Sequence, residues 1–503
     1  MPANPKLIVT ITPPTPNGDL HIGHIAGPFL SADVFTRVQR QQGYDCVFVS
    51  YSDDYQSYMK RKGLEVGRDP IELANENTGR IKATLQAADI DIDHWMSSYG
   101  NPYFLQAAQE IHEAASRRGA IQRHSSQEPF CPKCRTWGYE AFGRGNCNYC
   151  GVDSDASQCE NCAYPPEASL MNPFRCKVCG GDFEWPSMER EFLQMARYEE
   201  HLRGIYHRKP IRRPMDAWAD EVLRSGPQEW GITRPEEAGL DLEPDGSRRL
   251  HTWFLGICGY IAAVHEYAEK IAGKPEIYEE FWKRDDVRLV HFLGHDCAYS
   301  HMVVYPALLS NLEGGKPVPQ FYPNQFMKLN GKNLSTSRNH AIWAKDLIAE
   351  YGADASRLYL ALVAPEEFES NFDVETFRTW HRSVFVETIG ALIDRARRER
   401  TALPPAAIGV DDEALLAGFR ERWRTAAGVD TFSMRALAQI VLDLVAIGRD
   451  RMAVGNPVAH IVEQIGTLGS ALHPDLSERI AEAVAPASAP AQPREPAELG
   501  GSI

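Results

Sequence analysis

The first fifty residues constrain the fold most. "KLIVTIT" (6–12) is a short apolar run of the kind buried on both faces of a sheet, and "PPTPNGD" (13–19) is a turn. A helical pattern then runs from about 22 to 41, and "DCVFVSYS" (45–52) is a second apolar strand. Strand, turn, helix and strand in that order predict an α/β fold with a doubly wound parallel sheet. The α/β character breaks off in a cysteine-rich stretch, about 121–185, and resumes at "HTWFLGICGY" (251–260) and "VRLVHFLGHD" (287–296). Beyond about 376 the pattern is helical, which predicts a C-terminal helical bundle. The Pro/Ala-rich end, 485–503, is expected to be disordered.

A chain of 503 residues exceeds one ordinary core. The expected division is a catalytic half at 1–120, an inserted cysteine-rich domain at 121–230 and a second catalytic half at 231–325. A loop and stem-contact region at 326–375, a helical domain at 376–484 and the tail follow. No apolar run approaches the ~20 residues that a spanning helix needs, so no membrane partner is expected. The opening "MPANPKLIVTIT" lacks the regions of a signal peptide, and the expectation is a cytoplasmic protein. A formal net charge of −15 argues against wholesale non-specific binding of nucleic acid. Local basic stretches such as "RKPIRRP" and "RRERTAL" leave a specific contact open.

Eight of the 11 cysteines form four CxxC pairs, Cys131/Cys134, Cys147/Cys150, Cys159/Cys162 and Cys176/Cys179. Each CxxC turn aims two thiolates at one ion, so four pairs predict two closed tetrahedral zinc sites with a structural role. Spacing alone allows either sequential or nested pairing.

"PNGDLHIGH" (16–24) joins the first strand to its helix. Backbone N–H groups and the helix dipole favour an anion at such a junction. His21 and His24 add imidazole donors there, and Gly23 leaves room beside them. With this motif in place, the sequence resembles the class I aminoacyl-tRNA synthetases, and most of all the methionyl-tRNA synthetase family. The resemblance covers roughly residues 6–375. It runs through "SADVFTRVQRQQGYD" (31–45), "SDD" (52–54), "QEWGITR" (228–234), "WFLGICGY" (253–260), "FLGHDCAYSH" (292–301) and "NGKNLSTSRN" (330–339).

The resemblance implies a ligase that consumes ATP, as its magnesium complex, and an amino acid to form an aminoacyl-adenylate. His21 and His24 would hold the phosphates in the transition state. Gly23, Gly294, His295, Asp296, Leu334, Ser335 and Ser337 would bind ATP, with Asp296 accepting from ribose hydroxyls. Asp53 would hold the substrate α-ammonium, and Asp54 beside it is expected to be a solvent or capping residue. Pro13, Trp253, Ile257, Tyr260, Ser300 and His301 would surround the amino acid. The resemblance also implies nested zinc pairing, Cys147/Cys150 with Cys159/Cys162 inside Cys131/Cys134 with Cys176/Cys179.

Several positions depart from the family pattern. Pro13 stands where a leucine is usual, Gly256 and Ile257 replace Ala-Pro, and Ser300 replaces an aromatic. Losing that ring removes apolar contact worth roughly 1–3 kcal/mol and adds a hydroxyl, which suits a smaller or more polar amino acid. The second family signature, KMSKS, reads Asn333-Leu334-Ser335-Thr336-Ser337, so both lysines are absent. Lys332 and Arg338 are the substitute cations expected nearby, and His295 stands at a common lysine position. In the helical half, Arg395 matches an anticodon-reading position, Ala391 replaces an asparagine, and "AVGNPVAH" (453–460) lacks the stacking tryptophan.

These departures point to a re-tuned activating enzyme that passes its acyl group to a small molecule in specialised metabolism. One form of that chemistry is hydrazine N–N bond formation with a separate cupin or N-hydroxylase partner. The alternatives are a methionine–tRNA ligase that charges tRNA and a catalytically inactive protein that binds an amino acid or nucleotide.

Overall fold

The computed structural model describes residues 4–156, 158–207, 211–235, 239–243, 248–334, 340–402 and 409–485. It divides into two compact units, Met1–Val374 with Ala426–Arg435, and Glu375–Thr425 with Ala436–Ile503.

The first unit is built on five strands, β1 (Lys6–Ile11), β2 (Asp45–Ser52), β3 (His94–Ser97), β4 (Arg288–Gly294) and β5 (Val318–Asn324). Their order is β5-β4-β1-β2-β3, and every neighbouring pair is parallel. Continuous burial of β1 and β2 explains their unbroken apolar sequences, because helices cover both faces of a parallel sheet. The strand order reverses between β1 and β4. Ile11 lies beside Phe292, and Thr12 N–H donates to Phe292 O at 2.9 Å. The turns after β1 and β4 therefore leave the sheet side by side, at the switch point where such folds bind ligands.

The helical pattern from 22 to 41 is interrupted. An α-turn at Ile22–His24 runs into a π-turn at Ile25–Phe29 and then into α1 (Leu30–Gln41). Gly27 has ψ −117°, and Pro28 lacks the N–H that would close a regular turn. Asp33 of α1 pairs with Arg357 at 2.7 Å, both side chains being 1% exposed. Arg357 also donates to Ala88 O and Asp89 O. Removing one partner of such a pair strands a buried charge and costs about 3–5 kcal/mol.

Residues 426–435 return to this unit although helices flank them in sequence. Their carbonyls accept hydrogen bonds from it: Gln39 Nε2 bonds Ala427 O, Gln320 Nε2 and Tyr322 Oη bond Val429 O, and Arg212 Nη2 bonds Phe432 O. The second unit, taken by itself, is helical, with Ile389–Ala402, Val410–Ala426, Met434–Ala453, Ala459–Gly469 and Pro474–Val484 among its helices.

Among the described residues no helix is long and apolar enough to cross a membrane.

Candidate active site

A cavity of about 1000 Å³ opens over the ends of β1, β2, β4 and β5. Of the residues expected in the site, Pro13, His21, Gly23, His24, Asp53, Trp253, Gly294, His295, Asp296, Ser300, His301 and Leu334 line it. Ile257 and Tyr260 lie deeper, fully buried on α2 (Thr252–Glu266). Lys332 is exposed in a hairpin strand next to Asn333 and Leu334, which do line the cavity. Ser335, Ser337 and Arg338 lie outside the described residues.

The two imidazoles of the first motif stack, with ring centroids 3.7 Å apart and planes 18° from parallel. His21 Nδ1 accepts Gly23 N–H at 3.1 Å, and His24 Nδ1 accepts His21 N–H at 3.2 Å, a reciprocal capping box. A neutral imidazole whose Nδ1 accepts carries its proton on Nε2. Burial pushes His21 down to about 4; burial and then the neighbouring His21 hold His24 well below the usual histidine range. At neutral pH the pair is two uncharged N–H donors.

The described residues on either side of 335–339 both reach this turn. A Cβ on Gly23 would come within 2.7 Å of Leu334 Cδ1 and 3.0 Å of His21 Cε1, so glycine admits both the ring pair and the incoming loop. On the far side of the loop, Ile22 N–H donates to Ile342 O and Ala344 N–H to Leu20 O, each at 3.0 Å.

Asp53 ends β2's path into the cavity and is 5% exposed. Its Oδ2 accepts from Gln56 Nε2 at 2.5 Å. Burial, opposed by that bond and reinforced by Asp54 and Glu140, pushes its carboxyl up to about 8. No cation partners it among the described residues, in keeping with a carboxyl that holds its proton at neutral pH. Asp54 is not a solvent residue. It is 4% exposed and accepts the backbone N–H groups of Ser98 and Tyr99, the capping half of the expectation.

Tyr260 Oη donates to His301 Nε2 at 2.7 Å, and His301 Nδ1–H faces Cys297 O at 3.1 Å. Burial lowers His301 to about 4, so this wall is neutral. Ser300 donates to Cys297 O at 3.0 Å, and Trp253 Nε1 is buried with no partner among the described residues. A small recess of about 20 Å³ adjoins the main cavity here, lined in part by Trp253, Ser300, Tyr299 and Tyr164.

Three contributors were not legible as site residues. Gln158, on the cysteine-rich arm, donates from Nε2 to Asp296 Oδ2 at 2.9 Å. Asn324 and Gln325, at the end of β5, also line the cavity. A pair of polar residues closing the apolar run "FYPNQF" was the available signal. The described lining is acidic: Asp19, Asp153, Asp155, Glu160, Asp296 and Glu369 accompany Asp53. Its one guanidinium, Arg144, is held by Asp153 and Asp155.

The eight CxxC cysteines gather into two groups, Cys131, Cys134, Cys176 and Cys179, and Cys147, Cys150, Cys159 and Cys162. Sulfurs approach at 3.6 and 3.9 Å in the first and 3.6 and 3.8 Å in the second. Tetrahedral Zn–S bonds of ~2.3 Å place sulfurs roughly 3.8 Å apart, so both groups fit a zinc ion. Gly151 and Gly180 adopt φ of +75° and +71° just after two of the pairs, as tight knuckles require.

The parallel sheet thus sets a paired-imidazole turn at its switch point, the place where such folds bind ligands. The sequence model of the class I tRNA synthetases (M) matches residues 7–397, and the chain belongs to that family. Relatives include the methionine–tRNA ligases of Pyrococcus abyssi, 30% identical over 413 residues, and Pyrococcus furiosus, 29% over 411. Each match takes in 78% of this chain and 56% of the relative, so the chain spans little more than half their length. The match to the Thermoplasma acidophilum ligase, 29% identical, covers 78% of this chain and 72% of that one. Among solved structures, Mycobacterium tuberculosis methionyl-tRNA synthetase in complex with methionyl-adenylate superposes with a TM-score of 0.73. That alignment covers 96% of this chain and 94% of the other at 17% identity, a likeness of fold.

Proposed function

We propose that the protein is an ATP-dependent ligase that activates an amino acid as its aminoacyl-adenylate. The observation that carries this reading is the stacked His21–His24 pair, with both Nδ1 atoms tied to backbone N–H groups and both Nε2–H donors left for a ligand.

In this reaction the amino-acid carboxylate attacks the α-phosphorus of ATP in line and pyrophosphate leaves. Positioning and charge stabilisation supply most of the acceleration. His21 and His24 donate to the phosphate oxygens as negative charge shifts toward the leaving group. Asp296 accepts from the ribose, and Asp53 ionises against the arriving α-ammonium. The acidic lining favours a nucleotide that enters as its magnesium complex. With both signature lysines absent, we assign that role by sequence position to Lys332 and Arg338. The docked flanks of the loop support a re-tuned site over a relic, because a decayed loop would have no reason to stay packed on Gly23. When bound, zinc at the two cysteine groups serves to fold the arm.

For the acyl acceptor we favour a small nucleophile, with a separate cupin or N-hydroxylase partner as the form this takes in hydrazine synthesis. Arg395 supports this choice. It bonds Glu399 at 2.7 Å, and Glu399 in turn caps the backbone N–H groups of Val458 and Ala459, a structural engagement for a residue expected at an anticodon. The second reading, charging of tRNA with methionine, is favoured by the names of the relatives. Incubation with ATP and each of a panel of amino acids, with hydroxylamine to trap the adenylate as a hydroxamate, tests activation. Purified tRNA in place of hydroxylamine separates the two acceptors.

A further inference from the structure

We propose that Asn324 is a nucleotide-binding residue, oriented by Arg212 so that its carboxamide N–H meets an acceptor atom of ATP. The inference rests on the ATP-dependent reading above and adds a residue to it.

Asn324 is the last residue of β5, 1% exposed, and lines the cavity at the switch point. Arg212 Nη1 donates to its Oδ1 at 3.1 Å. A guanidinium can only donate, so this bond fixes which end of the carboxamide is oxygen and which is nitrogen. Nδ2 is then buried with no hydrogen-bond partner among the described residues. A buried donor without a partner costs roughly 1–3 kcal/mol, and a fold keeps one where a ligand completes it. Two more buried polar atoms without a partner among the described residues line the same rim, the donor Gln325 Nε2 and the ring nitrogen His295 Nδ1.

Arg212 is itself immobilised. Its Nη2 donates to Phe432 O at 2.9 Å and meets Glu366 at 3.3 Å, and its plane lies over Tyr322 with 4.8 Å to the ring centroid. The returning segment 426–435 thereby holds Asn324 in one orientation. Asn324 also lies across from the π-turn of the imidazole motif, since a Cβ on Gly27 would stand 4.0 Å from Asn324 Cβ. The chemistry recognised is a hydrogen-bond acceptor on the nucleotide, a phosphate oxygen or a base nitrogen.

Calorimetric titration with magnesium and a non-hydrolysable ATP analogue tests this on the full chain. Asn324→Asp keeps an oxygen for Arg212 and the side-chain shape but removes the N–H; Asn324→Ala removes both. Both variants are expected to bind the analogue about tenfold more weakly or worse while melting with the wild type. Titrations with adenosine and with pyrophosphate locate the acceptor: a loss shared by adenosine assigns it to the nucleoside, a loss confined to pyrophosphate and the triphosphate assigns it to phosphate. Unchanged affinity in a folded Asn324→Ala variant, with the wild type binding, overturns the role of Asn324 alone. A wild type that binds no nucleotide overturns this inference and the proposed function together.

Discussion

Gln158 donates to Asp296 across 138 residues of sequence, joining the cysteine-rich arm to the turn after β4. Gln158 immediately precedes Cys159, a member of the inner cysteine group. The arm thus reaches the carboxylate expected to hold ribose. Asp296 keeps further acceptor sites for ribose hydroxyls while Gln158 fixes its plane. Gln158→Ala is expected to raise the KM for ATP about three- to tenfold with kcat within twofold, as measured by steady-state adenylate formation.

Asp53 gives the site a pH dependence of definite sign. Its folded carboxyl titrates at about 8, far above the unfolded value, so the folded chain holds the extra proton and stability falls as pH rises toward 8. His21 acts oppositely. Its folded value of about 4 lies below the unfolded one, so its contribution is lost as pH falls below about 6.5. Between pH 6.5 and 8 only the Asp53 effect remains of the two, at up to about 1.4 kcal/mol per pH unit. Thermal melts of the ligand-free protein should decline across that window. Asp53→Asn should flatten the decline and abolish activation.

Metal analysis should find two zinc ions per chain. Cys131→Ser and Cys176→Ser fall in one group, so the double variant should lose no more zinc than either single change. Cys131→Ser with Cys147→Ser should lose both ions.

Lys332 is exposed at the start of the rewritten loop. If it replaces a missing loop lysine, Lys332→Ala should slow adenylate formation at least about tenfold with the fold intact. An unchanged rate would remove Lys332 from the mechanism.

How far the sequence spoke depended on where the information lay. The strands were legible because both faces of β1 and β2 are buried, and the cysteine groups because CxxC turns are local. The imidazole turn was legible because its ligands lie three residues apart. The π-turn escaped because it depends on one backbone angle at Gly27 and a missing N–H at Pro28. The return of 426–435 escaped because it is held by backbone carbonyls at Ala427, Val429 and Phe432, which leave no residue pattern. Asp54 was half legible: its capping partners, Ser98 and Tyr99, lie on the next strand's exit rather than in its own turn. Asn324 needed Arg212, more than a hundred residues away, to show which way its amide faces.

The most direct measurement is amino-acid-dependent exchange of labelled pyrophosphate into ATP, run across a broad panel with wild type and His24→Ala. Exchange is expected with at least one amino acid, falling about 100- to 1000-fold in the variant. Because both imidazoles are neutral donors, the wild-type rate should show no limb near pH 6.5. Exchange with no amino acid, or equal exchange in His24→Ala, would contradict the account.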